Sequence, residues 1–200
     1  MFPLGSVLFP SAFLPLHVFE PRYRELTKAC LEGDREFGVV LIERGSEVGG
    51  ADVRSSVGTV AHIVEASELP DGRWVIGAVG GRRVRVERWL PDDPYPIADV
   101  VDYDDGPSGA DGVAVYADVV VALRRVLALC AELGDATVDA TIDLSDEPEL
   151  GSFQVAAVGP WGPADQYDLL ALPSAEARLE RLAAMLVEEE AVARARLDLG

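Results

Sequence analysis

Lysine is nearly absent from this sequence, and other reactive side chains are scarce. Lys28 is the only lysine among 17 basic residues, and the 200-residue chain carries two histidines and two cysteines. A phosphate-binding loop needs a lysine that follows glycine and precedes serine or threonine. Lys28 stands between Thr27 and Ala29. The sequence therefore excludes an ATPase or GTPase site of that type.

Long apolar runs and disulfide-forming cysteines are also lacking. The most apolar run, residues 112–123, is interrupted by Asp118 and is too short to span a bilayer. The first residues lack the basic segment that opens a secretion signal. Two cysteines are too few for a disulfide scaffold. We therefore expect a reduced, cytoplasmic protein with no membrane partner.

Acidic residues, in contrast, are abundant. The chain has 35 acidic residues against 17 basic ones, which gives a net charge of -18, and 49% of its residues are hydrophobic. That apolar fraction is sufficient for a folded core. The negative field repels nucleic acids and anionic lipids and favours cationic or neutral partners. No nucleic acid partner is expected.

The first half of the sequence is typical of β-structure. Short apolar runs alternate with turn residues, and Pro70-Asp71-Gly72 predicts a tight turn because proline presets φ and glycine accepts a positive φ. Strands are expected at 7–9, 13–19, 37–42, 57–66, 74–79, 83–87 and 97–103. Their number and spacing predict a closed or nearly closed barrel.

A single helix is predicted within this β-rich half, at residues 21–31. Pro21 suits the first helical position, and Gly33 suits the C-terminal stop. The apolar side chains at i, i+3, i+4 and i+7 define one buried face, formed by Tyr23, Leu26, Thr27 and Cys30.

The hydrophobic period changes after a linker at 104–112, which is rich in aspartate and glycine. A wide apolar stripe predicts a helix over 116–130 that ends at Gly134. Shorter helices are expected at 150–158 and 164–172, and Ser174 is the expected N-cap of a last helix. The sequence thus predicts an α+β protein, with a β-barrel part over residues 1–105 and a helical part over residues 106–200.

Several segments resemble one protein family. Val7-Leu8-Phe9-Pro10, followed by Leu14-Pro15-Leu16-His17-Val18-Phe19-Glu20-Pro21-Arg22-Tyr23, resembles the opening of the amino-terminal domain of Lon proteases. Phe37-Gly38-Val39-Val40-Leu41-Ile42 and Gly81-Arg82-Arg83 continue the match in order. The resemblance implies a PUA-like β-pseudobarrel followed by an α-helical bundle, the part of Lon that recognises substrate. A related domain in cereblon serves as a scaffold. The ATPase and peptidase parts of Lon have no counterpart here, so no catalysis is expected.

Residue-level tests of catalysis and metal binding point the same way. Lys28 falls on the polar face of the predicted helix with Arg24 and Glu32, so it is expected to be solvated and a poor general base. His17 and His62 lie within apolar strands, and we expect both to be satisfied within the barrel wall. The histidines and cysteines are far apart in sequence, so no metal or other cofactor is expected.

Two charged segments suggest binding functions that we consider weaker. Asp102-Tyr103-Asp104-Asp105 resembles the start of a calcium loop, but Gly106 and Val113 stand where further ligands are required. Arg82, Arg83, Arg85 and Arg88 form the only basic cluster, and strand alternation divides it between two faces. A solvated strand is favoured over an RNA-binding surface, although one or two of these arginines could hold a peptide carboxylate.

The sequence predicts a non-catalytic module that binds unfolded or extended polypeptides. A small-ligand binder or an enzyme that uses a cleft between barrel and bundle is the first alternative, and an adaptor for a separate AAA+ protease is the second. Phe13, Phe19 and Trp161 are expected to converge near the barrel–bundle junction. The candidate peptide-binding residues are Phe13, His17, Phe19, Glu20, Arg22, Tyr23, Arg82, Arg83 and Trp161.

Overall fold

The computed structural model describes residues 1–44, 53–106, 112–135 and 138–199. The chain divides into two compact units, Met1–Asp104 and Asp105–Gly200. Most of the predicted linker, residues 107–111, lies outside the described residues, as does Gly45 after the third predicted strand. The first unit is built on a β-sheet and the second on helices, so the predicted α+β fold with a barrel-like sheet and a helical part is confirmed.

The described residues of the first unit form six strands and one helix. The strands are β1 (Phe2–Leu4), β2 (Phe13–Val18), β3 (Glu36–Arg44), β4 (Val53–Glu68), β5 (Trp74–Leu90) and β6 (Ile97–Asp102). The sheet order is β1-β3-β4-β5-β2, and β6 also pairs with β5. All pairs are antiparallel except β1 with β3. Because β5 is 17 residues long, its first part pairs with β2 and its second part with β6.

The strand at 74–90 differs from the prediction, which had two shorter strands there. Gly80 pairs with Ala61 and Arg83 with Thr59, and Gly81 and Arg82 continue the strand at a bulge where the register of β4 with β5 shifts. Bulges bend a strand and increase its twist. A Cβ on Gly80 would lie 2.1 Å from the Phe9 carbonyl oxygen, so only glycine allows this close approach of two backbones. One long, bent strand therefore replaces the two predicted ones.

The predicted strand at 7–9 is wrong, and Phe2–Leu4 forms the first strand instead. Leu8 and Phe9 are buried, but their backbone bonds to other partners: the Thr59 hydroxyl donates to the Leu8 carbonyl (2.6 Å), and the Ala12 N–H donates to the Phe9 carbonyl (3.1 Å). Apolar composition alone did not distinguish a buried loop from a strand.

The helix α1 (Pro21–Glu32) was predicted almost to the residue. Proline is its first residue, and the Gly33 N–H donates to the carbonyls of Ala29 and Cys30 at 3.1 Å. The predicted face, Tyr23, Leu26, Thr27 and Cys30, is buried. The Tyr23 ring stacks on Phe2 at a centroid distance of 4.1 Å. This face joins the core cluster that the sheet forms with Val18, Phe37, Ile63 and Ile76.

Where the structure describes it, the second unit has four helices: α2 (Gly112–Glu132), α3 (Pro148–Val158), α4 (Pro163–Ala171) and α5 (Ala175–Leu199). Gly134 follows α2 at a φ of 78°, as expected of a helix stop, and Ser174 Oγ accepts the Ala177 N–H at 3.2 Å as the predicted N-cap. The apolar stripes meet in one core that includes Leu123, Leu127, Leu169, Leu182 and Leu186. None of the described helices has both the length and the apolar character needed to cross a bilayer.

Candidate functional site

One side of strand β2 turns apolar side chains toward solvent. Side chains alternate across a strand, so Leu14, Leu16 and Val18 point to the core while Phe13, Pro15 and His17 point outward. Phe13 is 63% exposed, although a phenylalanine usually contributes its large apolar area to a core. Phe19, immediately after the strand, is 51% exposed, and its ring centroid lies 6.4 Å from that of His17.

The strand register extends this surface across β5 and β4. Phe13 pairs with Val79, Pro15 with Gly77 and His17 with Val75. The same β5 residues pair on their other side with His62, Glu65 and Ser67 of β4. These nine residues, which we call the outer sheet face, are Phe13, Pro15, His17, Val75, Gly77, Val79, His62, Glu65 and Ser67.

A glycine shapes the outer sheet face. The Phe13 ring lies over Gly77, where an added Cβ would meet Phe13 Cζ at 3.0 Å. Gly77 is buried, and the absence of a side chain there leaves room for the Phe13 ring. Beside it, Val75 remains 47% exposed. The outer sheet face thus exposes an aromatic ring next to a β-branched side chain.

The outer sheet face carries no lysine or arginine. Its one carboxylate, Glu65, is exposed and makes no ion pair with any other described residue. His17 and His62 are its only side chains that can become cations, and both are exposed. The surface is therefore apolar with a negative charge at one side, a combination that favours an apolar ligand with a positive charge.

The histidine prediction is wrong in one respect: neither imidazole is enclosed in the barrel wall. His17 was correctly placed on the same side as Phe13, Pro15 and Phe19, but that side faces solvent. Side-chain alternation along β2 separates two faces of the strand, but it does not indicate which face is buried. Here the aliphatic side, Leu14, Leu16 and Val18, packs on the core.

Glu20, Arg22 and Tyr23 form the start of α1 next to Phe19. The Arg22 Nε donates to Glu20 Oε2 at 3.1 Å, and the guanidinium lies 4.5 Å from the centroid of the Tyr23 ring. The Glu20 carboxylate precedes the helix and could accept its free N–H groups, but it makes no capping hydrogen bond. Its backbone carbonyl accepts the N–H groups of Tyr23 and Arg24, while its carboxylate pairs with Arg22.

The two remaining arginine candidates are held by residues of the same unit. Arg82 donates to Glu36 Oε2 at 2.9 Å and to Asp102 Oδ1 at 3.0 Å, and the hydrogen bond that it donates to Glu36 is the main reason that the Arg82 pKa is raised. Arg83 is buried, and its guanidinium lies 4.5 Å from the centroid of the Tyr103 ring. A role of either residue in ligand binding stays a prediction.

Trp161 belongs to the second unit, where it is 9% exposed. Its Nε1 donates to the Ala156 carbonyl at 2.8 Å, and its ring packs closely against Gly159. Phe13 and Phe19 lie in the first unit. The expected convergence of the three rings stays a prediction.

The groups that could perform catalysis have environments that do not activate them. Lys28 is exposed, as predicted, and pairs with Glu25 at 3.1 Å, three residues earlier. Burial is the main cause that raises the pKa of the Cys30 and Cys130 thiols, whereas a nucleophilic cysteine needs a lowered one. Within the described parts of the chain, no group of three or more histidine, cysteine, aspartate or glutamate side chains could hold a metal ion.

Comparison with known proteins assigns the family. The family model of the ATP-dependent protease La (LON) substrate-binding domain matches residues 1–188. The chain is 29% identical over 189 residues to Lon protease 2 of Herpetosiphon aurantiacus. This alignment covers 93% of this chain and 23% of that protein. It is 38% identical over 96 residues to a Lon protease of Cytophaga hutchinsonii, covering 47% of this chain and 12% of that protein. This chain therefore belongs to the Lon substrate-binding domain family and spans less than a quarter of these relatives.

Solved structures agree with this assignment. A Lon N-terminal domain protein from Xanthomonas campestris is 28% identical with a TM-score of 0.67, and the match covers 92% of this chain and 95% of that one. The N-terminal domain of a Mycobacterium avium complex Lon protease is 15% identical with a TM-score of 0.65, covering 94% and 96%. The latter likeness supports the fold alone.

The structure also identifies site residues that sequence patterns missed. Val75, Gly77, Val79 and Glu65 complete the outer sheet face because they are paired, directly or through β5, with the residues of β2. The alternation of residues 74–79 could have indicated an exposed side. The pairing of β2 with β5, which are more than fifty residues apart, was not evident from local sequence.

Proposed function

We propose that this chain is a non-catalytic polypeptide-recognition module and that the outer sheet face, with Phe19 beside it, contacts the bound segment. The observation that carries this proposal is the exposure of Phe13 and Phe19 on either side of His17. Exposed aromatic side chains on a soluble domain commonly mark binding surfaces, since their burial contributes much of an interface's affinity. Membership of the Lon substrate-binding domain family supports a polypeptide as the ligand.

The preferred segment is extended and contains aromatic and basic residues. Its aromatic side chains would pack on the exposed side chains of Phe13 and Val75. Its basic side chains would approach Glu65, and the net charge of -18 would attract them over a longer range. Added salt should slow association more than it weakens the complex, because screening acts mainly on the charges at a distance.

The residues around the face have different roles in this proposal. Phe13, His17 and Phe19 touch the polypeptide. Glu20, Arg22 and Tyr23 fix the path of the chain from β2 into α1, so they position Phe19 rather than bind the ligand. Pro15 has no N–H group, which limits main-chain pairing of a peptide with the β2 edge. Side-chain contacts should therefore dominate.

Fluorescence anisotropy with two labelled, unstructured peptides tests the proposal. One peptide contains phenylalanine and arginine, and the other contains phenylalanine and glutamate at the same positions. Binding of the basic peptide should be micromolar in order of magnitude, because ordering a flexible chain offsets much of the contact energy. Phe13→Ser and Phe19→Ser should each weaken it by about tenfold, or about 1.4 kcal/mol, which is more than most interface residues contribute.

Val187→Ser is the matched control. Val187 is 68% exposed on α5 in the other unit, so its replacement also removes exposed apolar area without touching the outer sheet face. The affinity of Val187→Ser for the basic peptide should equal that of the unaltered protein. Equal binding of both peptides, or equal losses in all three variants, would contradict the proposal and favour a scaffold that docks on a separate AAA+ protease.

A further inference from the structure

The helical unit contains a pocket of about 610 Å³ that the proposed polypeptide site does not use. The C-terminal part of α2, the end of α3, the segment 159–161 and the last turns of α5 form its walls. Pockets that hold small molecules have volumes of about 300–1,000 Å³ and mostly apolar walls with few polar groups. This pocket has both properties.

Its apolar wall contains a fixed aromatic ring. Trp161 lies against Gly159, and its hydrogen bond to the Ala156 carbonyl (2.8 Å) fixes the ring orientation. Leu127 and Val192 line the pocket beside it. An apolar group could therefore bind without reorganisation of the tryptophan, which limits the entropic cost of binding.

The charged side chains that line the pocket differ in whether they form an ion pair. Arg196 Nη1 lies 2.7 Å from Asp135 Oδ2, so these two charges neutralise each other. Glu189 makes no ion pair with any described residue. The neighbouring Glu190 differs, because Arg194 and Arg125 both pair with it. The pocket thus has one carboxylate without a counter-ion.

The surroundings of the pocket are also negative. The second unit has 18 acidic and 6 basic residues, a net charge of -12, whereas the first unit has 17 and 11. Within the pocket, burial is the main cause that raises the pKa of the Cys130 thiol, and Glu189 and Asp135 raise it further. Both the local and the long-range field favour a cation at this position.

We propose that this pocket binds a small organic cation, with its aromatic or aliphatic body against Trp161, Leu127 and Val192 and its ammonium group at Glu189. This site is independent of the proposed polypeptide binding, since all its residues lie in the second unit. The cation supplies the missing counter-ion of Glu189, and its apolar body occupies the apolar wall. An anionic ligand of the same shape would meet the unpaired carboxylate.

The probe is 2-phenylethylammonium, titrated into the ¹⁵N-labelled full chain and followed by NMR. 3-Phenylpropionate and 2-phenylethanol serve as the anionic and neutral probes of similar shape. The cation should shift the Trp161 indole and Ala193 amide signals with a dissociation constant on the order of 0.1–1 mM, as suits a ligand of this size. The anion should not bind, and the alcohol should bind about tenfold more weakly, because it lacks the charge-assisted hydrogen bond.

Glu189→Gln keeps the side-chain shape and should reduce the affinity for the cation about tenfold. Glu188→Gln is the matched control, since Glu188 is the adjacent, exposed residue outside the pocket and loses the same charge. It should change the affinity less than twofold. Equal losses in the two variants, or equal affinities for the three probes, would overturn the proposal.

One further arm distinguishes a free cation from a polypeptide side chain. Acetyl-Phe-Lys-amide carries an aromatic group and an ammonium group on a peptide backbone. Binding of the free amine at Trp161 and Ala193 with no stronger binding of this dipeptide supports the proposal. Tighter binding of the dipeptide, detected through the same two signals, would contradict it. So would an absence of binding by the amine at a concentration tenfold above about 1 mM, the upper end of the expected dissociation constant.

Discussion

The guanidinium of Arg178 is wholly enclosed and binds Asp105, 73 residues earlier in the chain. Its Nη2 and Nη1 lie 2.5 and 3.3 Å from the two carboxylate oxygens, and the side chains are 0% and 10% exposed. The Nε donates to Ser152 Oγ at 2.8 Å, and the guanidinium carbon lies 3.5 Å from the centroid of the Phe153 ring. The first residue of the helical unit is thereby attached to α5.

This pair should be a point of high sensitivity to mutation. Asp105→Asn removes the carboxylate charge bound to the buried guanidinium and leaves it only the attraction of Glu149, which should lower the free energy of unfolding by about 3 kcal/mol. Arg194→Gln breaks an exposed pair with Glu190 and should cost at most about 1 kcal/mol. Urea denaturation of both variants measures the difference. Similar, small losses would show that the buried pair is not strongly coupled.

Gly159 should tolerate no side chain. An added Cβ would lie 1.9 Å from the Trp161 ring, which its hydrogen bond to Ala156 holds in place. Gly159→Ala should therefore lower the free energy of unfolding by about 1–3 kcal/mol through overpacking. At Gly106 the nearest described atom outside its chain neighbours, the Pro173 carbonyl oxygen, is 3.8 Å from such a Cβ, so Gly106→Ala should be close to neutral. Thermal denaturation of both variants is the measurement.

The buried Cys30 thiol should make the protein less stable in alkali. Burial is the main cause that raises its pKa above the ordinary 9.0, and the thiol donates to the Glu36 carbonyl at 3.1 Å. A group with a raised folded-state pKa contributes its full stabilisation below pH 9, and this contribution is lost as the pH rises through the folded-state pKa.

The free energy of unfolding of the unaltered protein should therefore decrease between pH 8.5 and pH 10.5, values that bracket the ordinary thiol pKa. Cys30→Ala should show a smaller decrease over the same range, whatever its stability at pH 7. Urea denaturation at several pH values gives both slopes. Identical slopes would mean that the thiol does not titrate differently in the folded and unfolded states.

Local signals predicted much of this fold. Pro21 and Gly33 define α1, Gly134 ends α2, and Ser174 caps α5, because each acts through its own backbone geometry or a hydrogen bond to a near neighbour. The Pro70-Asp71-Gly72 turn is also present, with Gly72 at a φ of 78°. The resemblance to Lon proteases predicted that a barrel precedes the helices in the chain.

Features that depend on distant residues were not predicted. The alternation of β2 separates Leu14 and Leu16 from Phe13 and His17, but only the position of the core shows which pair is exposed. Bulges and glycines join the two predicted strands at 74–79 and 83–87 into β5. The ion pair of Arg178 with Asp105 connects positions that no local pattern relates.

Residue-resolved NMR mapping of peptide binding tests the central claim most directly. The arginine- and phenylalanine-containing peptide is titrated into the ¹⁵N-labelled full chain, and amide and histidine side-chain shifts are recorded. We predict that shifts cluster at Phe13, His17, Phe19 and Val75, and that the dissociation constant obtained from them rises about tenfold in Phe13→Ser while the spectrum stays folded. Shifts confined to the helical unit, or an unchanged dissociation constant in that variant, would contradict the assignment of polypeptide binding to the outer sheet face.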